Sequence, residues 1–198
     1  MQVKKEYMHR AIVEAAIEEF AEKGYARGSL RRIAEEADTK ISNIYNYFRS
    51  KEDLFGYLVG DFYVEVQTLF AGLVRAGDGI SVSDIGANES ARRWTEILSP
   101  LVDRRTELLI TASDGTRYAG FRAELEQKLI ASVGLMCGWY PDGYPVNLYV
   151  STYIDAAVYL SRRYAKKKSD AHAAVENLLK TALAGFAAVS AEHGKKEE

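Results

Sequence analysis

The chain has 198 residues, which fits one large domain or two small ones. Its hydrophobic fraction of 47% is ordinary for a globular protein and is sufficient for a core. The formal net charge of −2 excludes a positive field over the whole surface, and the single cysteine, Cys137, excludes an intrachain disulfide.

No long apolar run follows the pair Lys4 and Lys5, and no stretch approaches the about 20 apolar residues of a membrane-spanning helix. We therefore expect a cytoplasmic protein without membrane contact. Cys137 lies between apolar neighbours, Leu135 and Trp139 among them. A buried apolar role is its simpler interpretation, and a ligand-sensing thiol is the alternative.

The first predicted element is a helix from about Tyr7 to Lys23, preceded by a short charged arm over residues 1–6 and ended by Gly24. Its apolar residues recur at helical spacing and form an inner face: Ile12, Ala15, Ala16 and Phe20. We expect this helix to support the segment that follows.

The stretch from Ser29 to Phe48 predicts two short helices joined by a tight turn. Apolar residues give the first helix one inner face: Leu30, Ile33, Ala34 and Ala37. Ser29 stands ahead of that face, where its hydroxyl can accept a hydrogen bond from a free backbone N–H. Asp38, Thr39 and Lys40 then interrupt the pattern with residues that favour turns.

A second short helix is predicted from about Ile41. One face is apolar and contains Ile41, Ile44, Tyr45 and Phe48. The other face is polar or basic and contains Lys40, Ser42, Asn43, Asn46 and Tyr47. Such a face suits a helix that enters the major groove of DNA. Two helices joined by a turn also occur in all-α proteins that never bind DNA, which is the alternative interpretation.

The local charge around this stretch differs from that of the whole chain. Residues 27–51 contain six basic and three acidic side chains, a net charge of +3. Because phosphate neutralisation depends on local charge, this excess favours nucleic-acid binding. A solvated surface of mixed charge is the alternative for any one of these residues.

A long helix is predicted from Lys51 to about Val74. Ser50 is its expected cap, and Asp53 can accept a hydrogen bond from the N–H of that cap. Lys51 lies in the first turn, where a cation opposes the helix dipole, so we expect a separate partner for its charge. A DNA phosphate is the candidate.

The remainder is predicted to be helical apart from a loop over 76–87 and a charged tail over 194–198. The expected helices cover about 89–101, 104–112, 117–140, 145–168 and 169–192. No strand pattern and no internal repeat are found.

The last two helices carry wide apolar stripes rich in small residues, which include Ala157 and Leu179. Packing within one subunit explains a single stripe, whereas two stripes suggest a homodimer joined as a four-helix bundle. The helices between Trp94 and Tyr159 are dense in aromatic residues. A core role is the simpler interpretation, and an amphipathic pocket wall is the alternative.

The region from Ile12 to Leu54 resembles the amino-terminal domain of TetR-family regulators. The residues that carry the resemblance are Ile12, Ala15, Ala16, Phe20, Gly24, Tyr25, Ser29, Ile33, Ala34, Ala37, Ile44, Tyr45, Tyr47, Phe48, Lys51 and Leu54. The family usually has Gly-Val-Ser in the turn where this chain has Asp38-Thr39-Lys40, and often Gly or Ala at the position of Ser42. Asp38 can adopt the left-handed conformation that such a turn needs.

The resemblance implies an all-α protein with an amino-terminal three-helix DNA-binding domain and a larger helical domain that binds ligand and dimerises. The expected divisions are 1–50, with the helix-turn-helix at 29–48, a linker helix at 51–75, and 76–198. The expected function is a ligand-responsive transcriptional regulator, typically a repressor, on a pseudo-palindromic DNA operator. A dimer would place its two recognition helices about 34 Å apart.

The expected sites fall into three sets. The candidate DNA-binding residues are Ser29, Arg31, Lys40, Ser42, Asn43, Tyr45, Asn46, Tyr47 and Lys51. The resemblance places a small lipophilic or aromatic effector among Trp94, Leu98, Leu109, Tyr118, Phe121 and Met136. The candidate dimer interface contains Tyr153, Ala157, Val175, Leu179, Leu183 and Phe186.

Signatures of catalysis are missing from the sequence. The histidines His9, His172 and His193 form no metal-ligand spacing, and nucleophile-elbow, phosphate-loop and dinucleotide motifs do not occur. We expect no enzyme activity, no metal and no cofactor. The rival to a regulator is a dimeric all-α small-molecule-binding or structural protein that no longer recognises DNA, and the unusual turn residues favour it.

Overall fold

The structure, a computed structural model, describes residues 2–76, 92, 94–96, 98–137, 146–164 and 167–193. No strand occurs in these ranges, so the predicted all-α fold is confirmed. None of the described helices is long and apolar enough to cross a lipid bilayer. The predicted loop at 76–87, apart from its first residue, and the predicted tail lie outside the described residues.

The helices follow the predicted order. They are α1 (Gln2–Arg27), α2 (Leu30–Glu36), α3 (Ile41–Ile44), α4 (Lys51–Ala76), α5 (Arg104–Thr111), α6 (Phe121–Cys137), α7 (Val146–Tyr164) and α8 (Lys168–His193). A short 3-10 helix over Ser99–Leu101 precedes α5, with Pro100 inside it.

Two helix starts differ from the prediction. Helix α1 begins at Gln2, so the expected arm is helical; its Gln, Lys and Glu residues all favour helices. Helix α6 begins at Phe121, four residues later than expected, because Gly120 has a φ of 87° and ends the preceding turn. Gly24 interrupts α1 with a φ of 74°, as predicted for the end of the first helix.

The described chain divides into two compact units. The boundary between them falls within α4, between residues 65 and 66. The first unit contains residues 1–65 and 104–122, and the second contains 66–103 and 123–198. The sequence division did not group α5 and its following turn with the amino-terminal helices. The predicted domain boundaries remain predictions.

An aromatic cluster forms the centre of the first unit. Phe20 and Phe55 are fully buried, and their ring centroids are 5.3 Å apart in an edge-on arrangement. The ring centroid of Tyr25 lies 5.3 Å from that of Phe55, and Tyr25 completes the cluster. Gly28 packs against it so closely that a Cβ atom there would lie 2.6 Å from the Phe20 ring. The close approach fixes the path of the chain from α1 into α2.

Polar contacts attach α5 to α1 within the same unit. Arg104 contacts Glu18 at 2.7 Å and the buried Glu107 at 2.8 Å. The N–H of Tyr25 donates to the carbonyl of Ala112 at 2.9 Å. These contacts explain why α5 belongs with the amino-terminal helices although more than 70 residues separate it from α1 in the chain.

The second unit packs α7 against α8, and α8 also contacts the 3-10 helix. The Nδ1 atom of His172 lies 3.2 Å from the hydroxyl oxygen of Ser99. Gln67 donates to Glu124 at 2.8 Å, and Lys128 bonds both side chains. The polar cluster ties the end of α4 to α6.

Candidate nucleic-acid interface

The turn between α2 and α3 has the geometry predicted for it. Asp38 adopts a φ of 48°, in the left-handed region, and it is the one non-glycine residue with positive φ among the described residues. The N–H of Thr39 then donates to the carbonyl of Ala34 at 2.8 Å. The short Asp side chain tolerates this conformation, so the turn forms without glycine.

The start of α2 is stabilised by a residue that the sequence analysis did not select. Ser29 occupies the cap position, but its hydroxyl makes no cap bond, contrary to the prediction. Its backbone N–H instead donates to Oε1 of Glu19 at 3.0 Å, and Arg32 lies 3.5 Å from the other carboxylate oxygen. Glu19 is only 8% exposed, so α1 supplies the cap of α2 from within the fold.

Helix α3 is one turn long, and its apolar face is smaller than predicted. Ile44 and Phe48 are buried, whereas Ile41 is 43% exposed and Tyr45 is 53% exposed. The chain leaves α3 through a tighter turn in which the N–H of Tyr47 donates to the carbonyl of Ile44 at 2.9 Å. Because the chain is wound more tightly here than in an α-helix, only one side chain per turn points towards the core, and Tyr45 projects away from it.

A chain of side-chain hydrogen bonds spans the exposed surface of α3. The amide of Asn43 donates to the hydroxyl of Thr39 at 2.9 Å, and the amide of Asn46 donates to Oδ1 of Asn43 at 3.1 Å. The two amides are therefore held in one orientation. An Asn side chain held in this way can present a hydrogen-bonding edge to a base.

The predicted DNA-binding residues divide by exposure. Those that are exposed are Arg31, Lys40, Ser42, Tyr45 and Asn46, and those that are half-buried are Ser29, Asn43, Tyr47 and Lys51. The segment from Lys40 to Tyr47 thus presents polar, basic and aromatic side chains on one surface, while Ser29 and Lys51 have partners inside the unit.

Comparison with known proteins places this geometry in a family. Residues 12–58 match the model of the family described as bacterial regulatory proteins, tetR family. Residues 12–58 therefore form an amino-terminal domain of the TetR type. The matched segment contains the left-handed turn, α3 and the first two turns of α4.

A curated relative agrees over the same part of the chain. The probable HTH-type transcriptional regulator YttP of Bacillus subtilis is 40% identical over 52 residues, which are 26% of this chain and 25% of the relative. The match therefore spans a quarter of the length of that relative.

Solved structures agree in fold over most of the chain. A TetR-like transcriptional regulator from Rhodococcus sp. RHA1 has a TM-score of 0.51 at 20% identity, with 90% of this chain and 96% of that chain covered. A TetR family transcriptional regulator from Chloroflexus aurantiacus has a TM-score of 0.50 at 16% identity, with 90% of each chain covered. The helical arrangement is thus shared beyond the amino-terminal domain.

Lys51 connects three parts of the TetR-family domain. Its ammonium donates to the carbonyls of Tyr25 at 2.8 Å, Gly28 at 3.2 Å and Ala26 at 3.3 Å. It also lies 4.5 Å from the centroid of the Tyr25 ring. Burial, with a smaller contribution from Glu52, raises the pKa of Tyr25, so the ring stays neutral beneath the cation. The carbonyls at the end of α1 explain a cation in the first turn of α4, and the predicted phosphate contact remains a prediction.

The cap of α4 forms with one difference from the prediction. The hydroxyl of Ser50 accepts from the N–H of Asp53 at 3.0 Å, as expected for a cap. The carboxylate of Asp53 accepts from the N–H of Arg49 at 2.8 Å, one residue before the expected donor. The end of the helix-turn-helix, residues 29–48, which we call the recognition segment, is thereby fixed to α4.

His9 and Tyr57 were not selected from the sequence as site residues, yet both contact the recognition segment. The His9 ring centroid lies 5.7 Å from Tyr47, 5.4 Å from Phe48 and 5.1 Å from Tyr57. Tyr47 also donates from its hydroxyl to the carbonyl of Lys5 at 3.2 Å. The available signal was helical spacing, because His9 precedes Ile12 by three residues.

The residues of the other predicted sites lie in both units. Leu109, Tyr118 and Phe121 are buried in the first unit, and Trp94 and Leu98 are buried in the second. Met136 lies on α6, and its side chain is outside the description. The grouping of these residues into one effector pocket stays a prediction. The described residues contain no group of three or more His, Cys, Asp or Glu that could hold a metal ion.

The candidate dimer residues have a different distribution. Ala157, Val175 and Leu179 are buried within the single chain, and Tyr153 is half-buried. The side chains of Leu183 and Phe186 are outside the description. Packing within one subunit, the simpler interpretation of the stripes, thus accounts for the three buried residues.

Replacing Lys51 by Ala should destabilise the TetR-family domain in the absence of DNA. Three carbonyls would lose a charged donor, and hydrogen bonds to charged groups contribute about 1.5–3 kcal/mol. Chemical denaturation measures the change in the free energy of unfolding. The exposed Lys40→Ala variant is the control and should leave stability unchanged. Equal stability of Lys51→Ala and the wild type would show that the carbonyl contacts contribute nothing.

Proposed function

We propose that this protein is a dimeric, ligand-responsive transcriptional regulator that binds double-stranded DNA through α2 and α3. The observation that carries the proposal is the row of exposed side chains between Lys40 and Asn46, which follows a left-handed turn in a TetR-family domain. The hydrogen-bonded side chains of Asn43 and Asn46 and the exposed ring of Tyr45 do not contribute to the hydrophobic core, so core packing does not explain them. Repression, with release of the operator by an effector, is the form of regulation we propose.

The rival interpretation, a protein that no longer recognises DNA, relied on the unusual turn. Because Asp38 adopts the left-handed conformation, the turn forms without a glycine. This observation favours the regulator.

The DNA contacts should divide into two classes that binding measurements can separate. Tyr45→Phe removes one exposed hydroxyl and should weaken binding to all sequences, because phosphate contacts position the protein without specifying bases. Ser42→Ala should change the preferred sequence at a cost of about 1–3 kcal/mol per lost base contact. Selection from a random DNA library, followed by fluorescence anisotropy at several salt concentrations, measures both effects.

The first result to establish is whether the wild-type protein selects a DNA sequence from the library. A wild-type protein that selects no sequence from the library would support the rival without DNA recognition. An unchanged sequence preference for Ser42→Ala would remove Ser42 from the base-contacting set. Both variants should melt at the wild-type temperature, since neither replaced atom is buried.

The dimer interface that we propose uses the exposed sides of the last two helices. On α7 four exposed residues recur at helical spacing: Leu148, Thr152, Asp155 and Tyr159. On α8 four exposed residues recur at helical spacing, and two of them are alanine: Ala173, Asn177, Thr181 and Ala184. Leu148 and Tyr159 are large apolar residues that the described part of one chain leaves uncovered. Small residues on α8 would allow two copies to approach closely.

Leu148→Arg should convert the dimer into monomers, because it places a charge in an apolar interface without a partner. Size-exclusion chromatography with light scattering measures the mass in solution. Val64→Arg is the matched control, since Val64 on α4 is 62% exposed and Leu148 is 63% exposed. A dimer that persists in Leu148→Arg would place the interface elsewhere.

The effector that we propose is mainly apolar and carries a hydrogen-bond acceptor. Trp94 is 5% exposed, and its indole N–H meets no acceptor among the described residues. A buried donor without a partner costs about 1–3 kcal/mol, so an acceptor on a ligand would recover this energy. Buried apolar area would supply the remaining affinity.

Trp94→Phe tests this contact because it keeps an aromatic ring and removes the N–H. A thermal-shift screen of lipophilic acids and aromatic ketones should yield a compound that stabilises the wild type by mass action. The same compound should stabilise Trp94→Phe less, and it should release DNA from the wild type in a gel shift. Equal stabilisation of both proteins would exclude the indole from the effector site.

A further inference from the structure

A groove of about 790 Å³ lies beside the recognition segment in the first unit. Its walls are the first three turns of α1, the turn after α3, and α4; the lining residues are Lys5, Glu6, His9, Arg10, Val13, Tyr47 and Tyr57. The groove is open on one side, and Lys5, Arg10 and Tyr57 are exposed there.

The groove is positively charged. Lys5 and Arg10 contribute two cations, and Glu6 is the one carboxylate of the lining. Among the described residues, no ion pair engages the ammonium of Lys5 or the guanidinium of Arg10. Exposed cations in a concave surface attract an anion, and Arg binds phosphate with a planar array of donors.

The aromatic side of the groove fixes α1 to the recognition segment. His9 contacts Tyr47, Phe48 and Tyr57, with its ring centroid 5.1 to 5.7 Å from theirs. The hydroxyl proton of Tyr47 is directed to the carbonyl of Lys5. The part of α1 that carries Lys5 and Arg10 is therefore held in place beside the recognition segment.

We infer that this groove binds a phosphate group of the DNA backbone next to the bases that α3 contacts, with Lys5 and Arg10 as the phosphate ligands and His9 as a positioning residue. The inference rests on the proposed DNA-binding function and assigns Tyr47 a new role. Tyr47 holds the backbone of α1 instead of contacting DNA itself. Charge complementarity and continuity with the recognition segment favour DNA over a free anion.

The test measures how DNA affinity depends on salt. Each neutralised phosphate contributes about 0.9 to the slope of log K against log salt concentration. Lys5→Gln/Arg10→Gln, which keeps two helix-forming side chains without charge, should reduce the slope by about 0.9 and weaken binding to all sequences equally. The charge-preserving exchange Lys5→Arg/Arg10→Lys should restore the wild-type slope.

The matched control removes the same charge from the second unit. Lys167→Gln/Lys180→Gln should keep the wild-type slope. If the slope of Lys5→Gln/Arg10→Gln equals that of this control while the wild type binds DNA, the groove makes no phosphate contact. The inference about the groove then fails, and the proposed DNA-binding function is unaffected. A wild type that binds no DNA at all removes the proposed function, and the inference with it.

His9 is tested by its ring contacts. His9→Phe keeps a ring and should retain the wild-type slope, whereas His9→Ala should lower it towards that of Lys5→Gln/Arg10→Gln. A wild-type slope for His9→Ala would remove His9 as a positioning residue.

Inorganic phosphate provides the last arm of the test. Stabilisation of the wild type by millimolar inorganic phosphate, absent in Lys5→Gln/Arg10→Gln and accompanied by an unchanged DNA slope, would assign the groove to a small anion and overturn the inference.

Discussion

The amino-terminal unit depends on the contact between Lys51 and the carbonyls of Tyr25, Ala26 and Gly28. A helix leaves its last carbonyls without partners, and a cation near them is favourable. Here that cation comes from the start of α4, so one side chain joins the two ends of the recognition segment. Helices α2 and α3 lie in the chain between these points, and their path is set by the same contact.

Much of this fold is predictable because it follows from local patterns. The apolar spacing of Ile12 and Phe20, the position of Gly24 and the turn at Asp38 each depend on residues close in the chain. The regular structure of α5 and the two last helices is predictable for the same reason. The helix-turn-helix therefore follows from the sequence alone.

The errors share a different cause, since each depends on residues distant in the chain. The cap of α2 comes from Glu19, ten residues before Ser29, and the partners of Lys51 come from more than twenty residues away. Helix α5 joins α1 through Arg104, which periodicity cannot show. The predicted apolar face of α3 failed at Ile41 and Tyr45 because the helix is one turn long. Candidate site residues could thus be located by type and segment, while their partners required the structure.

The union of α5 with the amino-terminal helices limits how this protein can exchange parts with its relatives. An amino-terminal module cut at the end of α3 or within α4 would lose Arg105, which lies 4.3 Å from the ring centroid of Phe62, and Tyr118, whose ring contacts Tyr63. It would also separate Glu18 from Arg104, with which it forms an ion pair. The transferable piece is consequently discontinuous and must include residues 104–122. Recombination at a single crossover in α4 would break this unit, whereas point substitutions on α3 would leave it intact.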